Sequence, residues 1–176
     1  MRHDVKRNRE WADQYLPDVK RILMANAGHM LDICIAPLDA DMSRATDMVV
    51  SVKGGDVAVR VRRPSCTYRD LTIRARAGGK TEIDKIREGF ARWYLYGWAN
   101  GDGRLAEWML VDLDKVREHK LLSGRRVIDN RDGRTGFITI PAEELLAKGC
   151  IVAHHVPKLK RPEHAKEKAA REPAPL

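Results

Sequence analysis

The chain has 176 residues, long enough for one domain with a buried core. Its hydrophobic content of 43% is that of a folded protein, yet no apolar run is long enough to cross a bilayer. The formal net charge is +8, with 33 Lys and Arg against 25 Asp and Glu, a balance that favours a nucleic acid or another polyanion as partner. The last twenty residues, Pro157–Leu176, hold six Lys or Arg and three Glu, so the basic character is not a tail effect alone. Cys34, Cys66 and Cys150 show no ligand spacing, which argues against a structural zinc site. Their odd count, with no secretory signal, sets the expectation of a reducing cytoplasm. His154-His155 has metal-binding chemistry but is read more simply as a polar strand end.

Residues 4–27 read as helical, with Trp11, Tyr15, Val19, Ile22 and Leu23 on one face and Pro17 opening a second helix or a kink. Leu31, Ile33 and Ile35 alternate within His29–Ala36, so a first strand is expected there. Pro37–Ala45 is a loop carrying Asp39 and Asp41. Met48–Lys53 is a strand, and Lys53-Gly54-Gly55-Asp56 turns into the next one. Residues 57–63 and 70–76 read as two more strands. Thr81, with Asp84 three residues on, caps a helix whose buried face is Ile83, Ile86 and Phe90. Trp93–Ala99 and Glu107–Asp112 are strands joined by Asn100-Gly101-Asp102-Gly103. Asp114–Lys120 is a short helix with Asp114 as its cap, and Ser123–Thr135 is an Arg-rich loop. Phe137–Ile140 is a strand, Pro141 opens a helix ending at Gly149, and Ile151–Val156 closes the domain. The fold class expected is α+β, with a mixed, mainly antiparallel central sheet flanked by helices. One domain covers 1–156, and a charged flexible tail covers 157–176.

Alternation puts Val57, Val59 and Val61 on one face of their strand and Arg60 and Arg62 on the other. In the next strand Leu71, Ile73 and Ala75 oppose Thr72, Arg74 and Arg76. If the two strands pair, four guanidinium groups crowd together, and something anionic must sit among them. Residues 60–80 hold seven Lys or Arg and one acid, Asp70, so the segment does not supply its own carboxylates. Arginine suits bidentate phosphate contact, which makes Arg60, Arg62, Arg74 and Arg76 candidate phosphate-binding residues. An internal ion network with acids from elsewhere is the alternative reading.

Ala45-Thr46-Asp47-Met48-Val49-Val50 places Asp47 at the start of an apolar strand, after a helix and before further strands and a helix. This order resembles the restriction-endonuclease-like, PD-(D/E)XK, nuclease superfamily over about Asp4–Asp112. The resemblance implies a Mg²⁺-dependent phosphodiester hydrolase with Asp47 as first metal ligand. The family's (D/E)-x-K tripeptide is missing: the next strand has Ala58-Val59-Arg60, and neither Ala58 nor Arg60 supplies that chemistry. The second acid would then be Asp70 or Glu82, with Lys85, one helical turn from Glu82, positioning the water. Asp39 and Asp41 are further candidates. The chain also resembles bacteriophage proteins, which implies a host cytoplasm.

Each candidate has a plainer reading. Asp47 can pair with Arg60 or Arg74, Glu82 can serve the helix dipole, and Lys85 can be a solvated residue. Trp93–Trp98 fits a buried strand better than a base-stacking platform. The expected partners are DNA or RNA, with no membrane; a homodimer or a host protein are further candidates. The rival function is a non-catalytic accessory or inhibitor protein that binds a protein or nucleotide, a role the missing tripeptide favours.

Overall fold

Tyr15 divides the N-terminal helical stretch. Before it runs α1 (Arg2–Asp13), and after it α2 (Leu16–Ala25), with Pro17 in the first turn, where a missing N–H costs nothing. These helices belong to a computed structural model that describes residues 2–35, 48–52, 56–157 and 159. A 3-10 turn, Ala27–Met30, leads into β1 (Leu31–Ile35), which pairs antiparallel with β2 (Met48–Val52). Asp39, Asp41, Asp47, the turn at Lys53-Gly54-Gly55 and nearly all of the charged tail lie outside the described residues.

The remaining strands form two sheets. The larger has the order β3 (Val57–Arg62), β5 (Trp93–Ala99), β6 (Leu105–Asp112), β9 (Ile151–His155). It is mixed: β3 runs parallel to β5, and the other neighbours are antiparallel. The smaller is antiparallel, with the order β4 (Leu71–Arg76), β8 (Gly136–Ile140), β7 (Ile128–Asp129). Three short helices complete the α+β fold: α3 (Glu82–Arg87), α4 (Leu113–Glu118) and α5 (Ala142–Ala147). Among the described residues no helix is long and apolar enough to cross a membrane.

Strand β5 is central, and its strict alternation serves two cores. Trp93, Leu95 and Ala99 join Leu105 and Leu110 beneath Tyr15 and, in α2, Val19 and Ile22. Tyr94, Tyr96 and Trp98 face the other way, into a cluster with Leu71 and Ile73 of β4, Ile138 and Ile140 of β8, and the apolar sides of α3, α4 and α5. Gly97 is small because Leu105 packs over it: a Cβ there would lie 2.5 Å from the Leu105 Cδ1. The β5–β6 turn takes Gly101 and Gly103 at φ +101° and +84°, a conformation glycine adopts without steric cost.

Four expectations need correction. Strands β3 and β4 do not pair but lie in different sheets, so their four arginines are not brought together by strand pairing. Burying Val57 and Val61 seats β3 beside β5, whereas Leu71 and Ile73 match Ile140 and Ile138 of β8. The polar stretch before residue 136 is not all loop, because Ile128 pairs with Phe137 to make β7. Phe90 lies beyond the end of α3 and is 61% exposed, not buried. The cap of α4 is Asp112, whose carboxylate accepts from the Asp114 and Lys115 N–H groups, and Asp114 instead pairs with Arg117 and Arg92. The Thr81–Asp84 capping box forms as expected, with the Asp84 carboxylate accepting from both the N–H and the hydroxyl of Thr81.

Candidate nucleic-acid interface

The register of β3 on β5 decides where its arginines go. Arg60 lies opposite Tyr96 and Arg62 opposite Trp98, so both face the inner side of the large sheet, on its edge strand. Arg60 is held there. One of its nitrogens donates to the Thr72 carbonyl at 3.1 Å, another to the Glu82 carboxylate at 2.5 Å. Glu82 is engaged in turn at both oxygens: it accepts also from the Tyr94 hydroxyl at 2.5 Å and from the Arg74 N–H at 2.9 Å. One carboxylate thus ties α3 to β3, β4 and β5. Burial, with Glu82 adding to it and Arg60 opposing it, holds the Tyr94 phenol well above its usual pKa, so it stays a donor. Thr72 Oγ1 and Tyr96 Oη share a further hydrogen bond of 2.7 Å under this network.

Arg62 has no such carboxylate among the described residues. Burial works against its charge, and a hydrogen bond to the Cys66 thiol and the nearby Tyr96 and Tyr94 hydroxyls more than offset it, leaving its pKa raised. Arg63 donates to Asn8 at 3.0 Å and lies over the Trp11 ring at 4.5 Å. The Arg74 side chain is exposed and has no acidic partner among the described residues. Lys85 is exposed on α3, and Lys80 pairs with Glu88.

These side chains line three adjoining clefts that share Arg60 and Arg74. The first, about 660 Å³, lies between α1 and the chain after β3, with Trp11, Arg62, Arg63 and Tyr68 in its walls. The second, about 170 Å³, opens toward Thr72, Asn130 and Phe137. The third, about 440 Å³, runs past Lys80, Lys85 and Phe90. Together they make a groove along β3 whose lining, among the described residues, has Arg60, Arg62, Arg63, Arg74, Lys80 and Lys85, and Glu82 as its one carboxylate.

The sequence candidates divide accordingly. Arg60, Arg62 and Arg74 converge, with Glu82 and Lys85 in the same groove. Arg76 turns away to pair with Asp129 of β7. Asp70 precedes β4 and is pushed above the usual carboxylate range by burial and then by Glu143. It stands four residues before Arg74, whose N–H meets Glu82, which is about 13 Å along an extended strand. Asp70 and Glu82 therefore make no Mg²⁺ site with each other, and the Glu82 oxygens are already engaged. Among the described residues no group of three His, Cys, Asp or Glu side chains is arranged to hold a metal ion. Arg63, Lys80, Tyr68 and Phe90 are additions that the strand pattern did not single out. Arg63 and Lys80 belong to the basic run 60–80, but nothing local marks the two aromatics. No family model, curated protein or solved structure matches the chain.

Proposed function

We propose that this protein binds nucleic acid by its phosphates along the β3 groove. The observation that carries the reading is that Arg62 and Arg74, with Lys85, face one groove in which the single carboxylate among the described residues is already committed to Arg60. Among the described residues the other part-buried arginines each have an acid: Arg69 has Glu107, Arg92 has Asp112 and Asp114, Arg117 has Asp114, and Arg125 has Glu144. For Arg62, which has none among the described residues, an external anion would satisfy the guanidinium, and a phosphodiester offers the matching pair of oxygens.

The nuclease-like reading of the fold would add Mg²⁺-dependent hydrolysis to binding. Its first acid would be Asp47, outside the described residues, and Asp70 and Glu82 do not join each other to complete it. Binding without cutting is the expected result. The test is fluorescence anisotropy with labelled DNA and RNA, single- and double-stranded, across a salt series, beside a cleavage assay in Mg²⁺, Mn²⁺ and EDTA. Arg62→Ala is expected to weaken binding to all sequences and to reduce the slope of log affinity against log salt by about 0.7 to 0.9. An unchanged slope in Arg62→Ala would overturn the groove as the binding surface. Metal-dependent cutting lost in Asp47→Ala would restore the hydrolase, and no binding at all would favour a protein partner.

A further inference from the structure

Among the described residues two aromatic side chains are largely exposed, Tyr68 at 74% and Phe90 at 61%. Both line the basic groove, Tyr68 in its first cleft and Phe90 in its third. Single exposed apolar residues are ordinary on a protein surface. Here, however, the two lie toward opposite ends of one cationic groove. The axis between them follows β3, from Ala58 beside the Phe90 cleft to Arg62 beside the Tyr68 cleft, about 13 Å of strand.

Both rings are carried on fixed backbone. The Tyr68 carbonyl accepts from the Trp98 indole N–H at 2.8 Å, and Arg69 next to it is clamped by Glu107 and lies over Trp98. The Phe90 N–H donates to the Lys85 carbonyl at 3.2 Å, and Lys80 sits over the Phe90 ring, 4.9 Å from its centroid. Flat apolar surfaces presented without ordering cost at the two ends of a line of cations are what a strand with unpaired bases requires. The cations hold its backbone, and the rings take its base faces. Arg60 and Arg62 also lie on a concave floor: both are part-buried, Arg60 at only 27% exposed, between α1 and α3. A rigid duplex presents its phosphates on a convex surface and keeps its base faces stacked inside, so it reaches neither the floor nor the rings.

We infer that the groove takes a single strand of nucleic acid, with one base stacked on Tyr68 and another on Phe90. The inference rests on the phosphate-binding reading above and names its substrate class. It is tested by anisotropy with a labelled oligothymidylate of about ten nucleotides, a duplex of the same length, and inorganic polyphosphate as competitor. The variants are Tyr68→Ala with Phe90→Ala together, and Tyr68→Phe alone. Both side chains are exposed, so melting temperatures should match wild type. The wild-type protein is expected to prefer the single strand. The double variant is expected to lose about ten- to hundredfold in affinity for it. Its salt slope and its competition by polyphosphate should be unchanged, because no charge is removed, and Tyr68→Phe should bind as wild type. A double variant that binds the oligonucleotide as tightly as wild type, or a wild-type protein that binds duplex equally well, would overturn the stacking inference and leave the phosphate groove standing. If wild type binds no nucleic acid, or Arg62→Ala changes nothing, the parent reading falls and this one with it.

Discussion

The two faces of the four-strand sheet are built differently. The face under α2 is apolar from edge to edge: Val57 and Val61 of β3 continue the surface of Trp93, Leu95, Leu105 and Leu110. Asp18, buried on this face, accepts from the Leu105 N–H at 2.9 Å and from Arg21. The opposite face is equally dry at its centre, around Tyr94, Tyr96, Met109 and Val111, but at β3 it ends in Arg60 and Arg62. Six backbone positions of one strand thus present valines to one core and arginines to a groove. Burial needs explain the first set. They do not explain the second, because an edge strand facing inward is stabilised as well by apolar residues, and half-burying a guanidinium without a carboxylate carries a desolvation cost. The asymmetry is what a ligand-binding edge on a closed core looks like.

The strongest way to break this contrast is to remove charge from each kind of site. Arg62→Ala with Arg74→Ala is expected to lower oligonucleotide affinity about hundredfold at low salt, measured by anisotropy. Arg117→Ala, which loses Asp114 and the Ile86 carbonyl at 2.8 Å, is expected to leave affinity unchanged and lower the melting temperature. Equal losses of affinity in both would erase the distinction. On the closed face, Asp18→Ala leaves the buried Leu105 N–H without its acceptor, and urea denaturation should read a loss of about 2 kcal/mol with binding intact. Gly97→Ala forces the Leu105 side chain aside, with an expected cost of about 1 kcal/mol by the same measurement.

The smallest effect concerns Asp70. Its folded pKa is raised, by burial first and Glu143 second, so the native state favours the protonated form. That contribution is present below the ordinary aspartate pKa and is lost as pH rises through the raised value. Asp70→Asn should therefore stabilise the protein at neutral pH, by less than about 1 kcal/mol for so open a site. The gain should vanish below about pH 3.5, where the wild-type carboxyl is already neutral. A gain that persists in acid would show that Asp70 acts through packing instead.

What the sequence made legible was local. The Thr81–Asp84 capping box, the break at Pro17 and the alternation along Trp93–Trp98 each depend on neighbours within one turn or one strand. The basic run 60–80 was legible too, and it yields most of the groove. What was not legible depends on distant partners. Nothing in Val57–Arg62 says that it will lie parallel to Trp93–Trp98 and not against the strand that follows it. Arg76 leaves the cluster because Asp129, 53 residues away, meets it on another strand. Asp18 reads as an ordinary first-turn acid until Leu105, 87 residues on, turns out to need an acceptor. Charge pattern predicted where cations gather, and topology decided which of them keep an internal partner.

The parallel pairing of β3 with β5 has a kinetic consequence. Strands β5 and β6 meet through a short turn, whereas β3 reaches β5 only after the chain has placed β4 and α3 in between. Closing that long loop costs entropy before any of its contacts form, so the hairpin is expected to assemble early and β3 to dock late. The groove therefore comes into being after the β5–β6 hairpin, and it is lost if β3 lifts away. A polynucleotide bound there as proposed would crosslink β3, β4 and α3 and so oppose that opening. Amide exchange along Val57–Arg62 would slow on binding, while the already protected β5–β6 hairpin kept its rate.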